Sequence, residues 1–308
     1  MNKFIVTTTI SKPSEALITF SKMKDWHLIV VGDLKTPHEM YRKLNLTYLD
    51  PQYQITNYYS LSSVIGWNSI QRRNIGFIEA YKMGADIVAT IDDDNIPYNN
   101  WGRDIRVGQE IEVDFCSSTN NVFDPLMASS NDNLWHRGYP IDLVSSRTLY
   151  TEGKNKLKVL FQADLWDGDP DIDAICRFIY DPTNINIGMY MPVSTKQYAP
   201  FNSQNTFIAK EALPYYMVFP HIGRMDDIWG GYIAQYLLNT RPLFMPATVY
   251  QKRNYHDIKK DFEKEIIGYT QTVNLLLELI NNPIDANWRR FLPEDTQLAF
   301  DLYRKEFK

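Results

Sequence analysis

Residues 87–97 read IVATIDDDNIP, a β-branched apolar run from Ile87 to Ile91 that ends in three consecutive acids, Asp92, Asp93 and Asp94. Adjacent carboxylates repel one another, and the end of a buried strand is partly desolvated. A divalent cation is the simplest compensation. Hard cations such as Mg²⁺ and Mn²⁺ take oxygen ligands, usually one or two carboxylates completed by substrate phosphates. Alternate strand residues share a face, so Asp92 and Asp94 are expected to point together as ligands and Asp93 to point away. A solvated acidic turn ahead of Pro97 is the plainer alternative, which the buried strand before it disfavours.

A second acidic pair, Asp226 and Asp227, stands in GRMDDIWGGY just before an aromatic-rich helical run. Acids at a helix start are favoured by the dipole, so capping alone explains them. Arg224 beside the pair, Trp229, and a Gly230-Gly231 step that permits close approach of a backbone or ligand point instead to a site. There, Asp226 or Asp227 would take a proton from a substrate hydroxyl. Arg137 sits between aromatics in the loop WHRGYP, and QKRNYH closes a late strand with Arg253 and His256. Phosphatases of the haloacid-dehalogenase type also carry Asp-x-Asp after an apolar strand, but after their first. Here the acids follow about the fourth predicted strand, and Ile96 stands where Thr or Val is usual.

These residues need a scaffold. KFIVTTTI, WHLIVVGD and DIVATIDDD read as strands, with helices predicted over KPSEALITFSKMK and SIQRRNIGFIEAYKMG. Strands alternating with helices predict an α/β fold, a mostly parallel sheet with helices on both faces. Ligands of such sheets bind beyond the carboxyl ends of the strands, where Asp92–Asp94 fall. The first strand ends, around Thr7, Thr8, Thr9 and Asp33, fall at the same edge and are expected to contact the ligand as well. The stretch 117–150 is rich in Asn, Ser, Asp and Pro and reads as functional loops. Residues 257–308 read as a helical extension on a 1–256 catalytic domain, with Ile266, Ile267, Val273, Leu276, Leu277 and Ile280 as an apolar stripe that packs on that domain or on a second copy in a homo-oligomer.

Of the 308 residues, 44% are apolar, ample for a core. A formal charge of −5 argues against bulk binding to nucleic acid. Two cysteines, Cys116 and Cys176, make neither a disulfide framework nor a metal-ligand set, and the amino terminus reads as a strand; a cytoplasmic protein with no transmembrane segment is expected.

Taken together, TTTISKPSEAL, VVGDLKTP, QRRNIGF, TIDDDNIP, HRGYP and GRMDDIWGGY resemble, in order, the STELLO-type glycosyltransferases and their relatives, the reversibly glycosylated polypeptides that act as UDP-arabinopyranose mutases. The resemblance covers about residues 3–268. It implies a GT-A fold, a nucleotide-sugar donor (a UDP-sugar favoured), a glycan or glycoconjugate acceptor, and Mn²⁺ or Mg²⁺. On it, Asp92, Asp93 and Asp94 correspond to the element that holds metal and diphosphate, with His256 as a further metal ligand. Asp226 and Asp227 correspond to the acidic element that supplies the base. Arg137 matches a functional arginine of the mutase-like relatives, and Arg72, Arg73, Arg224, Trp229 and Arg253 become donor or acceptor contacts. The mutase pattern has His after the Tyr of the late strand; here Gln251 follows Tyr250. VVGDLKTP is closer to the STELLO-type pattern, so a transferase is favoured over a mutase. A non-catalytic nucleotide-sugar binder is expected to lack the metal or base acids, which this chain has.

Overall fold

The computed structural model describes residues 1–252 and 257–308. Arg253 and His256 lie outside the described residues. Eleven strands among those described join in one sheet. They are β1 (Lys3–Thr9), β2 (His27–Gly32), β3 (Thr47–Leu49), β4 (Ile87–Ile91), β5 (Asn95–Pro97), β6 (Glu110–Ser117), β7 (Tyr150–Lys158), β8 (Phe161–Gly168), β9 (Val193–Ser194), β10 (Asn205–Ala209) and β11 (Leu243–Gln251). The helices are α1 (Glu15–Phe20), α2 (His38–Tyr41), α3 (Pro51–Ile65), α4 (Arg73–Lys82), α5 (Ala174–Tyr180), α6 (Asp226–Leu238), α7 (Ile258–Asn281) and α8 (Glu294–Lys305).

The sheet runs β3-β2-β1-β4-β10-β8-β11-β9-β6-β7, with β5 paired to β11. The β3-β2-β1-β4 portion is parallel, as strand–helix alternation predicts. Every residue of β4 is buried, the pattern of a strand covered on both faces. β10 then inserts antiparallel between β4 and β8, and β11 runs parallel to β8. Register shows both faces covered. Val6 lies opposite Thr90, and a Cβ on Gly76 of α4 would press into Val6 and Val31, so α4 packs directly on that face. Ile5, Ala89 and Phe207 share the other face. There Phe207 meets Trp101, and Phe20 of α1 meets the same indole edge-on at 4.8 Å.

These strand directions bring five chain segments to one edge. β1, β4, β8 and β11 all end there, and β10 begins there, with Asn205 opposite Ile91. The acids Asp92–Asp94 form the turn between β4 and β5 rather than continuing the strand. β5 folds back onto β11, pairing Ile96 with Tyr250, and Lys252 N donates to the Asp94 carbonyl at 3.1 Å.

The carboxyl-terminal helices join the same core: Tyr303 Oη donates to Leu213 O and Thr296 Oγ1 to Pro220 O. The buried side of α7 carries Asp261, Glu265, Gly268, Thr272, Leu275, Leu276 and Leu279. The predicted stripe is thus rotated: Ile266 and Leu277 are exposed, because two carboxylates and a glycine, invisible to an apolar count, occupy the packed side. Among the described residues no helix is long and apolar enough to cross a membrane. Cys116 and Cys176 are buried and free.

Candidate active site

A cleft of about 540 Å³ opens at the converging strand ends, lined by Asp92 and Asp94 on one side and by Arg137, Asp171, Arg224, Asp226 and Asp227 on the other. Asp92 and Asp94 therefore face one space, as expected. Asp93 turns away and accepts a hydrogen bond from Thr9 Oγ1, while Ser14 Oγ, which caps α1, donates to the Asp93 carbonyl. Burial raises the Asp93 pKa.

Asp92 is held by Arg73, Nη2 to Oδ1 at 2.6 Å. Burial opposes the Arg73 charge, but Asp92 outweighs it and the pKa is raised. The other terminal nitrogen of Arg73 donates to Thr90 Oγ1, Ser203 O and Ser203 Oγ at 3.2, 2.8 and 2.9 Å. Ser203 Oγ in turn donates to Asp227 Oδ2 at 3.1 Å. One serine at the entry to β10 thus links the two acidic groups.

Asp227 accepts from Arg137 Nη1 at 3.0 Å and Nη2 at 3.1 Å, and from Ser203 N at 2.8 Å. Burial pushes its pKa up, but Arg137 pulls harder and the net shift is downward. Asp226 accepts from Gln71 Nε2 at 2.7 Å and stands 4.0 Å from Arg137. Burial, then the Asp227 charge, lift it to about 7. The two neighbours are driven apart: Asp227 is a fixed anion, and Asp226 exchanges its proton near neutrality, the separation that suits acid–base chemistry. Asp227 has its oxygens occupied, so Asp226 is the base candidate of the two.

The structure places the other predicted residues as follows. Arg137 lines the cleft, but its guanidinium is engaged: Nε and Nη2 bind Asp171 at 2.9 Å, and Nη1 also donates to Arg224 O. It positions the acids rather than reaching for a diphosphate. Arg224 lines the cleft and pairs with Glu265 at 2.7 Å. Arg72 is buried, donating to Gln54, Ser62 and the Gly66 carbonyl and lying 3.7 Å over Trp67; it braces α3 against α4 and does not line the cleft. Trp229 is likewise buried, its Nε1 donating to Thr272 on α7 at 3.0 Å. Thr7 and Thr8 turn inward, Thr8 Oγ1 bonding Val31 O. Asp33 is buried, accepting from Leu34 N and Ser69 N, so it anchors the cleft-lining segment 68–71. The Gly230-Gly231 step admits no ligand either: a Cβ at Gly230 would clash with Met217 O and one at Gly231 with Phe201. Gly230→Ala is expected to destabilise the fold by about 1–3 kcal/mol through overpacking, visible as a lower urea midpoint with an unchanged slope.

The groups that escaped the sequence reading include Gln71, Asp171 and Gln251, which line the cleft, and Ser203, which holds Asp227 from behind it. Asp171 had a signal, since LWDGDPDID (165–173) is a second apolar strand ending in acids. Gln71, Ser203 and Gln251 carry none.

No family model matches the chain. Two curated proteins of Arabidopsis thaliana, named "Probable glycosyltransferase STELLO2" and "Probable glycosyltransferase STELLO1", are 24% identical over 257 and 258 residues. The chain is similar to STELLO-type proteins. The similarity covers 77% of this chain and 33% of each relative, so the chain spans about a third of the length of the curated relatives it matches. A solved structure, glucosyl-3-phosphoglycerate synthase from Mycobacterium tuberculosis in complex with phosphoglyceric acid, overlays with a TM-score of 0.41 at 9% identity, over 90% of this chain and 78% of that one. So loose a likeness does not bear on function.

Proposed function

We propose that this chain is a GT-A-type glycosyltransferase that moves a sugar from a nucleotide-diphosphate sugar, a UDP-sugar favoured, to an acceptor hydroxyl of a glycan or glycoconjugate. The observation that carries the reading is the single cleft into which Asp92 and Asp94 face from one side and the split pair Asp226 and Asp227 from the other. The similarity to proteins named as glycosyltransferases supports it.

Among the described residues no three His, Cys, Asp or Glu side chains converge on a metal by themselves. Two carboxylates in one cleft nevertheless fit Mg²⁺ or Mn²⁺, whose shell substrate phosphates and water complete. Asp92 and Asp94 would hold the cation. Bound there, it would offset the negative charge that grows on the leaving diphosphate.

The chain's own residues do the rest. Arg73 fixes Asp92, and Ser203 carries that placement across to Asp227. Arg137 and Ser203 keep Asp227 ionised. Burial, and then that fixed charge, raise Asp226 to a pKa at which it can accept a proton from the acceptor hydroxyl as the sugar transfers. Gln71 orients the Asp226 carboxyl from across the cleft.

The donor class is tested by thermal shift with UDP-, GDP-, CDP- and dTDP-sugars, with and without Mn²⁺. A ligand at a hundredfold excess over its dissociation constant adds about 2.7 kcal/mol to stability. One nucleotide family should raise the melting temperature only with Mn²⁺, and Asp94→Ala should abolish that dependence. Equal stabilisation of Asp94→Ala and wild type would remove Asp94 from the site.

A further inference from the structure

Beside Asp92 and Asp94 the cleft wall is built of carboxamides that the proposed chemistry does not use. Asn95, Asn202, Gln204 and Gln251 are buried, Gln251 only 5% exposed, and Gln204 and Gln251 line the cleft. They stand against the acids assigned to the cation. Gln204 O accepts from Asp92 N at 3.2 Å. Gln251 lies opposite Asn95, the residue after Asp94, where β11 meets β5.

A carboxamide can turn either its oxygen or its nitrogen to a neighbour, and the surrounding hydrogen bonds decide which. Here groups without that choice decide it from two sides. Asp171, paired with Arg137 and Arg224, only accepts, so Asn202 turns Nδ2 to it at 2.8 Å. The Gln204 backbone N–H only donates, and Asn202 Oδ1 accepts from it at 3.2 Å. Asn202 Nδ2 then also donates to Gln204 Oε1 at 3.3 Å. From the other side, the Gln204 carbonyl only accepts. Asn95 gives it Nδ2 at 2.8 Å and keeps Oδ1 for Gln204 Nε2 at 3.3 Å. Both sides therefore set Gln204 the same way, and its Nε2 donates to Gln251 Oε1 as well. Turning Gln251 over would bring two NH₂ groups face to face.

The Gln251 oxygen is thus held inside the wall. Its Nε2 hydrogens, which have no partner among the described residues, are left for the cleft. A buried donor of this kind is normally satisfied. We infer that Gln251 binds the donor: its Nε2 hydrogens meet an oxygen of the nucleotide sugar, on the diphosphate or on the transferred sugar, and it does not ligate the cation. A hard cation needs an oxygen ligand, and the Gln251 oxygen is turned to Gln204. Asn95, Asn202 and Gln204 are positioning residues that fix the sense of the amide. The chain of amides starts at Asp171, which also binds Arg137, so one carboxylate orients both the acid pair and the donor-facing amide. The inference rests on the transferase reading.

The test is isothermal titration of the whole chain with UDP, GDP, CDP, dTDP and their glucose conjugates over a series of Mn²⁺ concentrations. Gln251→Met, similar in length, should weaken binding of the nucleotide that wild type takes by about three- to tenfold. The Mn²⁺ concentration for half-maximal binding should stay unchanged. Gln251→Glu keeps an oxygen for Gln204 Nε2 but has no hydrogen to give. It should also bind more weakly, whereas a purely structural role would be rescued, so the test stands even if Gln251→Met folds poorly. Weaker binding of the nucleoside diphosphate itself puts the oxygen on the phosphates; weaker binding of the sugar conjugate alone puts it on the sugar. Wild-type affinity in Gln251→Glu would overturn the inference and leave the transferase reading standing. So would a Mn²⁺ requirement in Gln251→Met raised as in Asp94→Ala, the mark of a cation ligand. No binding of any probe to wild type would overturn the transferase reading and this inference with it.

Discussion

Replacing Asp226 by asparagine is expected to lower acceptor-dependent transfer by about two to four decades, the usual contribution of a positioned base, while donor affinity changes little. The amide has the shape of the carboxyl and can still accept the Gln71 hydrogen bond, but it cannot take a proton. The same change should act in the opposite sense on stability. Asp226 is lifted from 3.8 to about 7 by burial and by Asp227. The folded chain therefore holds a proton there that the unfolded chain has released, and the linked stability is fully present below about pH 4 and lost as pH rises through about 7. Asparagine has no such proton to lose. Denaturant melts at pH 8 should show the variant equal to or more stable than wild type, with the gap closing toward pH 5. Wild-type turnover should instead rise across that window as Asp226 ionises. A variant that loses stability at pH 8 and activity together would mark Asp226 as structural only.

Arg137 should be costly to remove. The family resemblance marks it as a functional arginine and says nothing of a part in stability. The structure shows it buried, bound to Asp171 and Asp227. Truncation to alanine leaves both carboxylates without their cation, and breaking a buried pair in this way costs about 3–5 kcal/mol. Arg137→Lys keeps the charge but lacks the planar fork that spans two carboxylates, so it should recover only part of that stability. Because lysine cannot bind Asp171 and Asp227 at once, Asp227 is held less firmly as an anion and keeps its neighbour less distinct, so the pH–rate profile of the lysine variant should broaden or shift. Urea unfolding and a pH–rate series measure the two effects separately. Full rescue by lysine in both would contradict the positioning role.

Much of this was legible in the sequence, and the limits have physical causes. The end of β4 was readable because a fully buried strand needs an unbroken apolar run, and three acids straight after it are conspicuous. The acids at the start of α6 were readable for the same reason of abrupt contrast. Which way β10 runs was not, because NTFIA is equally apolar in either direction, and pairing sense is set by distant contacts. That unreadable choice delivers Ser203 to the β4 edge and links Arg73 to Asp227. Arg72 and Trp229 are expected to contact substrate only through the family resemblance. Burial settles both: Gln54 and Ser62 satisfy the one, Thr272 the other. No local pattern in the sequence reports such long-range partners.

The most direct measurement of the central claim is anion-exchange separation of nucleotides after overnight incubation of the chain with UDP-, GDP-, CDP- and dTDP-sugars and Mn²⁺. One donor family should slowly yield its free nucleoside diphosphate by hydrolysis, faster when acceptor is supplied, with Asp226→Asn inactive and no ring-isomerised nucleotide sugar formed. A new nucleotide-sugar isomer at catalytic enzyme levels would replace the transferase with a mutase, and no conversion of any donor would leave a binder without chemistry.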